Sequence, residues 1–458
     1  MSRSTQIIYY LGLFFAFSYV LIRGFTVGMT HDEALTYKII QGDEILKGTA
    51  NHHWLNTQLS SLSAAVFGAK EFALRLPNIL SFAVFWFFLF RISRNFLTSS
   101  SSQIALLLLL CGNPFMLDFF SLCRGYGLSI AFVTASLFYL FRLAELKTDS
   151  KPIHYYLATI FSVFALSANL NTLNYFLIAL ALVLLSTFIF KPKNRFLLIA
   201  VIFLLSGLTL YFSLDRLFFL KDQNELYFGT GDLNSSIDNL IYSSFYFREG
   251  FNGVVILRYS LYMLLLLSGF LMIRKKQLFN PGTIAFIVLT SILIALVAEH
   301  YLFEALYPIN RSSLYLYPLI LLAFLLNIDV LKMKIVGVAI LLFSWIFILI
   351  SLPIYNFNKT MTWSEDSSIK PAMLLIREDI KDNSIHIAEC SWFYEPIINY
   401  YRLEYHVPIQ EVFREEIKHE AEYLFIQNEW MPNENYKLLF SDRNSGLTVY
   451  KRKTISAN

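Results

Sequence analysis

Charged side chains are scarce in this chain of 458 residues and make up only 15% of it. Soluble domains carry about 25% charged residues, whereas here hydrophobic residues reach 56% and the mean hydropathy is +0.53. This balance excludes an ordinary soluble domain and indicates a protein that crosses a membrane many times. The net charge of +4 is small, so the placement of charge is more informative than its sum.

Three further shortages narrow the possible functions. Three cysteines are too few for a disulfide framework, and we expect Cys111, Cys123 and Cys390 to be buried thiols. The chain lacks a Walker or G-x-G-x-x-G phosphate loop, which argues against a nucleotide-driven enzyme of the cytoplasm. It also lacks a basic stripe interleaved with aromatic residues, so we expect no nucleic acid as a partner.

Apolar runs close to the length that crosses a bilayer, about 20 residues, recur as far as residue 354. The eleven spans predicted from them cover residues 7–27, 73–91, 103–118, 125–142, 153–170, 173–190, 196–214, 254–273, 282–298, 312–329 and 335–354. The first run resembles a signal peptide in length, but no A-x-A-like cleavage site follows it. We therefore predict that it is the first span.

The distribution of Lys and Arg between the turns predicts the orientation, because basic residues concentrate on the cytoplasmic side. One set of turns, together with the N-terminus, carries nearly all of them: Arg3, Arg91, Arg94, Arg142, Lys147, Lys151, Lys191, Lys193, Arg195, Arg274, Lys275, Lys276, Lys332 and Lys334. The short turns on the opposite side carry only Arg124 and Arg311. The N-terminus is therefore predicted inside, and eleven spans place the C-terminus outside.

Three longer segments then face outward, at residues 28–72, 215–253 and 355–458. The last one changes character. It contains the strand-like pieces "SIHIAEC", "AEYLFIQ" and "GLTVYKRK", the helix-like piece "FYEPIINYYRLEY", and a hairpin signal at "DRNSG". We predict a transmembrane domain at residues 1–354 and a small outer α/β domain at residues 355–458.

The first outward segment begins with "MTHDEALTY", in which His31, Asp32 and Glu33 lie next to a membrane edge. Acids there can serve as an N-cap or as first-turn residues that the helix dipole favours. A cap does not explain why the same segment continues with a polar group some 20 residues later. That group consists of Asn51, His52, His53, Asn56 and Thr57. We therefore also consider a catalytic role.

A second polar group follows the third span in "NPFMLDFFSLCRGYGLSI". Pro114 is expected to end or kink that span. Asp118, Arg124 and Tyr126 then lie at the start of the fourth span, and an ionisable residue at this depth is a functional hypothesis. The alternative is an Asp118–Arg124 pair that only neutralises itself. In "SANLNTLNYF", by contrast, the polar residues are expected to serve capping and turn chemistry.

A third polar group occupies the turn before the tenth span, in "EHYLFEALYPINRSSLYLYPL". Glu299, His300 and Glu304 precede Arg311, which opens the span among tyrosines. Arginine can hold a phosphate with a bidentate fork. The alternative interpretation is an arginine that snorkels within an aromatic belt.

A lipid-linked sugar phosphate would use all of these features. Its isoprenoid tail needs an apolar groove between spans, and its phosphate needs cations at the membrane surface, for which Arg124 and Arg311 are available. Its anomeric carbon needs an acceptor hydroxyl activated by a carboxylate, and Asp32 lies in the expected place. General-base assistance of this kind contributes about 10²–10⁴-fold in rate.

The sequence resembles the GT-C superfamily of polytopic glycosyltransferases over residues 1–350, and especially the bacterial enzymes related to protein O-mannosyltransferases and the lipid A aminoarabinose transferase. The resemblance rests on "HDEALTY", on the E-x-x-x-R-L-P pattern from Glu71 to Pro77, on "SLCRGYGLSIAF" and on "NRSSLYLYPL". Two departures occur. His52-His53-Trp54 replaces the His-Pro-Pro segment common in relatives, and Leu122 and Cys123 occupy the place of an acid before the arginine.

The resemblance implies a polyprenyl-phosphate sugar donor, transfer on the outer face of a bacterial inner membrane, and inversion at the anomeric carbon. It implies that Asp32 is the catalytic base with Glu33 in support, and that Arg124, Tyr126 and Arg311 bind the donor phosphate. Residues expected to support these or to face the acceptor are His31, His52, His53, Asp118, Glu299 and His300. The acceptor would be a lipid, a glycan or a protein. The reaction requires no cofactor, although Asp32, Glu33 and His53 are candidate ligands for a divalent metal ion.

Two other functions are compatible with such a chain. A transporter or flippase of a lipid-linked saccharide would favour charged or broken helices near the middle of the bilayer and paired repeats. Here the charges gather at one face, and no internal repeat is visible. A non-catalytic scaffold, with an outer tail that binds a partner, would have no need for Asp32.

Overall fold

The structure is a computed structural model of the chain, and it describes residues 1–246, 253–275, 279–382, 384–427 and 434–453. The side chains of Met272, Arg274 and Lys275 also lie outside the description. The predicted outward segment 215–253 is therefore described only in part, and Lys276, which contributes to the predicted charge bias, lies outside the described residues.

The described part of the chain is mostly helical and forms two compact units. Unit one contains residues 1–21, 48–59 and 75–355, and unit two contains residues 22–47, 60–74 and 356–458. The helices are α1 (Arg3–Thr26), α2 (His31–Ile40), α3 (Glu44–Lys47), α4 (Trp54–Phe67), α5 (Glu71–Phe96), α6 (Ser100–Cys111), α7 (Pro114–Phe120), α8 (Gly125–Leu146), α9 (Pro152–Ala168), α10 (Leu173–Phe190), α11 (Arg195–Asp222), α12 (Leu233–Ser244), α13 (Val254–Lys275), α14 (Pro281–Phe303), α15 (Leu316–Asp329), α16 (Lys334–Ser351), α17 (Ile369–Asp379) and α18 (Glu395–Glu404).

Each of the eleven predicted spans coincides with a helix or a helix pair. Within the described ranges, nine helical segments are long and apolar enough to cross a membrane. The pair α6 and α7, bent by 61°, raises the number to ten if it forms one span. The helix α9, at the position of the remaining predicted span, is apolar but shorter than these. Large apolar side chains such as Phe14, Phe212 and Leu342 are exposed on these helices, as expected for surfaces that face lipid. The chain is a multi-pass membrane protein.

The bend between α6 and α7 has a local cause. Asn113 is the N-cap of α7, its side chain accepts the N–H of Met116 at 3.1 Å, and Pro114 opens the helix. Proline at the first helical position lacks only an N–H that would have no helical partner there. The prediction that Pro114 ends or kinks the third span is therefore confirmed.

In unit one, α8 is buried on nearly all sides and packs against α9, α10 and α14. Gly125, its first residue, permits one close approach, because a Cβ atom there would lie 2.0 Å from the carbonyl oxygen of Ala168. Cys111 and Cys123 in this unit and Cys390 in unit two are buried thiols outside any disulfide, as predicted.

Unit two contains a four-stranded sheet in the order β1-β2-β4-β3. The strands are β1 (Ala388–Cys390), β2 (Tyr423–Gln427), β3 (Tyr436–Asp442) and β4 (Leu447–Arg452). β1 runs parallel to β2, whereas β4 is antiparallel to both β2 and β3. The predicted hairpin at "DRNSG" is confirmed, and Gly446 adopts the positive φ of 73° that the turn requires.

Three helices of unit two position the acidic motif. α18 connects the parallel strands β1 and β2, as parallel strands require a crossover, and it packs against both α17 and α2. The inner residues of α18, among them Ile397, Ile398 and Tyr401, are buried. The helix that begins with His31-Asp32-Glu33 therefore lies directly on the predicted tail helix.

Candidate functional site

The acidic motif forms the first turn of α2. Thr30 is the N-cap: its hydroxyl accepts the N–H of Glu33 at 3.4 Å, and the Glu33 carboxylate accepts the Thr30 N–H at 3.1 Å. This is a capping box, in which two N–H groups of the helix start are satisfied reciprocally. The predicted local role of the motif as a helix start is confirmed, and Glu33 is the residue that completes it.

Asp32 lies one position earlier and is buried. Its backbone carbonyl accepts the hydroxyl of Thr36 at 3.0 Å, one turn further along α2. A carboxylate in the first turn is stabilised by the positive end of the helix dipole. Asp32 is therefore held by the backbone of a helix start, next to the positive end of the helix dipole.

His31 is fixed at two points by the C-terminal part of unit two. Its backbone N–H donates to Oδ2 of Asp366 at 2.6 Å, and its ring Nδ1 lies 2.5 Å from the carbonyl oxygen of Phe393. Because a carbonyl oxygen only accepts, Nδ1 carries the proton. Burial lowers the pKa of His31, although the contact with Phe393 and the charge of Asp32 oppose this.

Asp366 was not singled out in the sequence, yet it lies against the acidic motif. It is only 2% exposed. Burial raises its pKa well above the usual range, the N–H of His31 opposes the rise, and the nearby carboxylates of Glu365, Asp32 and Glu33 add to it. Four carboxyl groups thus belong to one small region of unit two, and burial drives Asp366 towards its protonated form.

Glu71, the first residue of the E-x-x-x-R-L-P pattern, also has a structural role within unit two. Its carboxylate accepts the hydroxyl of Tyr401 at 2.6 Å and pairs with Nζ of Lys370 at 2.9 Å. The same Tyr401 hydroxyl accepts the N–H of Met29 at 2.7 Å. The motif thus connects α5 and α18 to the residues just before α2.

In unit one, Arg124 is the N-cap of α8 and is almost completely buried. Its Nη2 donates to Oδ1 of Asn51 at 2.8 Å and its Nη1 to the carbonyl of Asn51 at 3.2 Å. The guanidinium also lies over the ring of Tyr126, 5.9 Å from its centroid. A fixed guanidinium and a helix N-terminus therefore coincide, and both favour an anion.

His53, Tyr126 and Arg124 are brought together. The rings of His53 and Tyr126 meet at 4.9 Å between centroids and at 67°. Asn56 supports them from α4, since its side-chain amide donates to the carbonyl of Cys123 at 3.2 Å and accepts from Asn78 at 2.6 Å. The polar group of the first outward segment and the start of the fourth span, which were noted separately in the sequence, thus form one cluster.

The other predicted residues of unit one have identified partners or positions. Asp118 is buried on α7 and accepts the hydroxyl of Tyr246 at 2.5 Å. His52 is half-buried in the turn before α4. Glu299, near the end of α14, accepts the side-chain amide of Asn174 at 3.1 Å.

His300 and Arg311 lie at the same end of unit one. Nδ1 of His300 lies 2.9 Å from the carbonyl of Ala305, and its ring stacks on Tyr307 at 4.7 Å. These contacts shape the turn after α14. Arg311 lies in the 3₁₀ turn Asn310–Ser313, with its guanidinium over the ring of Phe228 at 4.7 Å. It therefore pairs with an aromatic residue of the second outward segment.

Arg216 was missed because it stands in the predicted outward segment 215–253, outside the motifs considered, whereas in the structure it belongs to α11. Its Nη2 donates to the carbonyl of Thr49 at 2.6 Å. Arg124 and Arg216 thus hold two neighbouring residues of the same segment, Asn51 and Thr49. That segment connects both arginines to the start of α4.

An apolar cavity lies nearby in unit one. Its volume is only about 20 Å³, which is room for about one water molecule. Leucine and isoleucine side chains of α12, α13, α14 and α15 line it, and its polar lining is Ser236 and Ser313. Ser313 belongs to the same 3₁₀ turn as Arg311, so the cavity has a cationic residue close to one end.

Asp32, Glu33 and His53 are the candidate ligands for a metal ion. Within the part of the chain that the structure describes, no group of three or more His, Cys, Asp and Glu side chains is arranged to hold a metal ion. The carboxylate of Glu33, one of the candidate ligands, is engaged in the capping box.

Comparison with known proteins bears on the fold and on part of the sequence. Residues 54–214, less than half of the chain, match the family model described as dolichyl-phosphate-mannose-protein mannosyltransferase. Over 98% of both chains, the structure resembles ArnT from Cupriavidus metallidurans in the apo state, with a TM-score of 0.58 and 10% identity. The chain has the GT-C fold. The resemblance and the fold class predicted from the sequence are thereby confirmed.

Two further likenesses concern structures with bound lipid phosphates. ArnT from Cupriavidus metallidurans bound to undecaprenyl phosphate matches with a TM-score of 0.57 and 10% identity over 99% of both chains. The archaeal oligosaccharyltransferase AglB from Archaeoglobus fulgidus, in complex with an inhibitory peptide and a dolichol-phosphate, reaches a TM-score of 0.44 at 11% identity, over 89% of this chain and 65% of that chain. The latter score is too low to support a statement about fold. No curated protein matches the chain in sequence.

Proposed function

We propose that this GT-C chain is an inverting glycosyltransferase that moves a sugar from a polyprenyl-phosphate donor to an acceptor. The observation that carries the proposal is the buried guanidinium of Arg124 at the N-terminus of α8, inside the residues that match the mannosyltransferase family model. A buried cation at a helix start is suited to a phosphate and serves no purpose in a purely apolar bundle. The GT-C fold, shared with ArnT, supports a glycosyltransferase.

The donor phosphate would be bound by Arg124 and Arg311, with Tyr126 beside Arg124. Arg124 now bonds to both oxygens of Asn51, in the fork geometry that a phosphate also accepts. A phosphate would therefore compete with Asn51 for the guanidinium.

Asp32 would act as the general base. In the proposed step a carboxylate oxygen of Asp32 takes the proton of an acceptor hydroxyl, and the hydroxyl oxygen attacks the anomeric carbon. The bond from that carbon to the phosphate oxygen breaks, and the electron pair leaves with the polyprenyl phosphate. Attack opposite to the leaving group inverts the configuration. Glu33 keeps the helix start in place, and His31, His52, His53, Asp118, Glu299 and His300 shape the surroundings.

Transfer should be measured with full-length protein in liposomes, radiolabelled polyprenyl-phosphate sugars and an envelope extract as the acceptor source. Asp32→Asn keeps the shape but removes the base, and we expect a loss of about 10²-fold or more. Arg124→Ala should raise the KM for the donor, and the lipid phosphate without sugar should inhibit the wild type. Unchanged transfer by Asp32→Asn would remove the base assignment. Movement of the lipid-linked sugar across the bilayer without transfer would favour a flippase.

No cofactor is needed for this mechanism. Transfer should therefore be unaffected by EDTA, and loss of activity in EDTA with recovery on adding Mg²⁺ or Mn²⁺ would contradict this part of the proposal. The matched control is Asp32→Asn treated in the same way. Its residual rate of transfer should change neither with EDTA nor with added Mg²⁺ or Mn²⁺.

We propose that the protein resides in a bacterial inner membrane with its N-terminus in the cytoplasm and residues 355–458 in the periplasm. The three native cysteines are buried, which makes labelling of new cysteines practical. A membrane-impermeant maleimide should label Asn444→Cys in intact spheroplasts and should label Lys193→Cys only after lysis. The reverse pattern would invert the topology.

A further inference from the structure

The indole of Trp392 is exposed beside the acidic motif of unit two. Trp392 is 62% exposed, whereas Tyr394, two residues later, is fully buried. The rings of Trp392 and His31 meet at 76° with 6.0 Å between their centroids. Since the carbonyl of the next residue, Phe393, binds the His31 ring, the indole is fixed next to the helix turn that carries Asp32.

A cation lies against the same indole. The guanidinium carbon of Arg414 is 5.7 Å from the centroid of a Trp392 ring, and the Arg414 side chain remains 41% exposed. Nε of Arg414 bonds to Glu395 at 3.2 Å. A guanidinium has five N–H donors, and this contact uses one of them. Its Nη fork therefore has donors to offer to a second anion.

The guanidinium of Arg414 belongs to a group in which two cations share one carboxylate. The buried carboxylate of Glu395 pairs with both Arg414 and Lys38, and it accepts the side-chain amide of Asn399 at 2.8 Å. This group alone carries one net positive charge, while the charge of Asp32 acts on the neighbouring His31, which burial drives towards its neutral form. The Glu395 contacts also fix the guanidinium in place, which lowers the entropic cost of binding a ligand to it.

A fixed aromatic face next to a fixed guanidinium indicates a particular kind of ligand. The C–H faces of a pyranose ring pack on an indole, which offers a large rigid surface with two side-chain torsions to restrain. The guanidinium recognises carboxylate or phosphate groups in a bidentate manner. A peptide acceptor would instead call for main-chain hydrogen bonds or a groove with side-chain pockets.

We propose that Trp392 and Arg414 form an acceptor subsite, and that the acceptor is a glycan that carries an anionic group, either carboxylate or phosphate. This inference rests on the proposed function, because it gives the acceptor a place beside His31 and Asp32. A sugar ring of the acceptor stacks on the indole, and its anionic group binds the guanidinium. An acceptor hydroxyl is thereby held at the first turn of α2.

The test is equilibrium binding to full-length protein in lipid nanodiscs, with four probes. These are a hexamer of galacturonic acid, a mannose hexamer bearing phosphate, neutral maltohexaose and an acidic hexapeptide. We expect the wild type to bind both anionic glycans more tightly than the neutral one, and the two anionic probes distinguish carboxylate from phosphate. Trp392→Ala should weaken all glycan binding about tenfold, the equivalent of about 1.4 kcal/mol. Arg414→Gln should reduce the anionic glycans to the level of the neutral one.

Arg443→Gln is the matched control, since it removes the same charge from an exposed arginine in the turn between β3 and β4. It should leave the preference unchanged, and Trp392→Phe should retain part of the binding. Equal glycan binding by the wild type and Trp392→Ala, no glycan binding by the wild type, or stronger binding of the peptide than of the glycans would each overturn the proposal.

The binding measurement is independent of transfer. If the wild type binds them through Trp392 and transfers no sugar to any acceptor, the proposed function fails and the subsite remains as a glycan-binding site. If transfer occurs and Trp392→Ala has the wild-type KM for the acceptor, the subsite fails and the proposed function remains.

Discussion

The side chain of Asp366 accepts the backbone N–H of His31 at 2.6 Å, although the two residues are 335 positions apart. This N–H belongs to the first turn of α2, where backbone donors have no helical acceptor. The other carboxyl oxygen, Oδ1, has no hydrogen-bond partner among the residues that the structure describes. One oxygen of Asp366 therefore accepts a backbone N–H of the helix start, while burial disfavours ionisation of the carboxyl group.

The variant Asp366→Asn should keep the hydrogen bond to the His31 N–H, because its amide oxygen also accepts, and it removes the ionisable carboxyl group. The carboxyl of an unfolded chain ionises near a pKa of about 4, whereas burial raises the pKa of Asp366 in the folded chain well above that. Stability from the protonated form is therefore present at low pH and lost as pH rises through this interval. Between pH 4 and pH 8 the unfolding temperature of Asp366→Asn should rise relative to that of the wild type. A difference in unfolding temperature that does not change with pH would contradict the raised pKa of Asp366.

Asp366→Ala removes the acceptor of the His31 N–H altogether. We expect it to lower kcat for transfer with little change in the KM for the donor, because the displaced element is the turn that carries Asp32. Asp366→Asn should restore most of kcat, since its amide oxygen also accepts an N–H. Equal losses in both variants would show that the carboxyl chemistry of Asp366, and not its hydrogen bond, matters.

Glu33 should tolerate glutamine and not alanine. The amide oxygen of a glutamine side chain introduced there can accept the Thr30 N–H as the carboxylate does, whereas alanine opens the capping box at a cost of about 1 kcal/mol. Glu33→Gln should therefore unfold near the wild-type temperature and keep transfer within a few-fold. A loss of transfer by Glu33→Gln as large as that of Asp32→Asn would assign the chemistry to both acids.

Gly125 should not accept a side chain, because a Cβ atom there would meet the backbone oxygen of Ala168 at 2.0 Å. We expect Gly125→Ala to destabilise the protein by about 1–3 kcal/mol through overpacking. Gly207→Ala is the matched control, since a Cβ there meets nothing within 4 Å and alanine favours the helix by about 1 kcal/mol. The measurement is the unfolding temperature in detergent. A change in the same direction for Gly125→Ala and Gly207→Ala would contradict the close approach of Gly125 to Ala168.

His386 should make the stability of unit two depend on pH. Partial burial alone would lower its pKa, but contacts with Glu422 at 2.5 Å and Asp382 at 2.8 Å raise it above the usual value. The stabilisation is therefore complete below the ordinary pKa of about 6.5 and disappears as pH rises through the higher folded value. His386→Gln should unfold earlier than the wild type at pH 5.5 and approach it at pH 9. A constant difference would exclude the ion pairs as its cause.

The membrane part of the fold could be predicted from the sequence because each span is a continuous apolar run. The hairpin around Gly446 and the helix α18 also had local signals, in the turn residues and in the helical spacing of "FYEPIINYYRLEY". The helices α4 and α12 were not predicted, since they lie in segments interpreted as outward loops. Hydropathy alone does not separate a short surface helix from a loop.

The candidate site was predictable only where residue type and local spacing carried the information. Asp32 and Arg124 stood out as charged residues at membrane edges. Asp366 did not, because "SEDSS" looks like an ordinary polar stretch and its contact with His31 spans 335 residues. Such contacts leave no trace in a local pattern. The exposed indole of Trp392 was missed for the same reason, since its neighbours His31 and Arg414 come from distant segments.

The contacts between α2 and the C-terminal residues have a consequence for biosynthesis. Three residues in or next to α2 bond to residues that are synthesised more than 300 positions later. The pairs are Met29 with Tyr401, His31 with Asp366, and Lys38 with Glu395. Chains emerge at about 5–20 residues per second, so these bonds form only tens of seconds after α2 has been made. A nascent chain thus inserts its helices long before the turn that carries Asp32 is locked. Full assembly of the acidic motif therefore waits until Asp366, Glu395 and Tyr401 have all been synthesised.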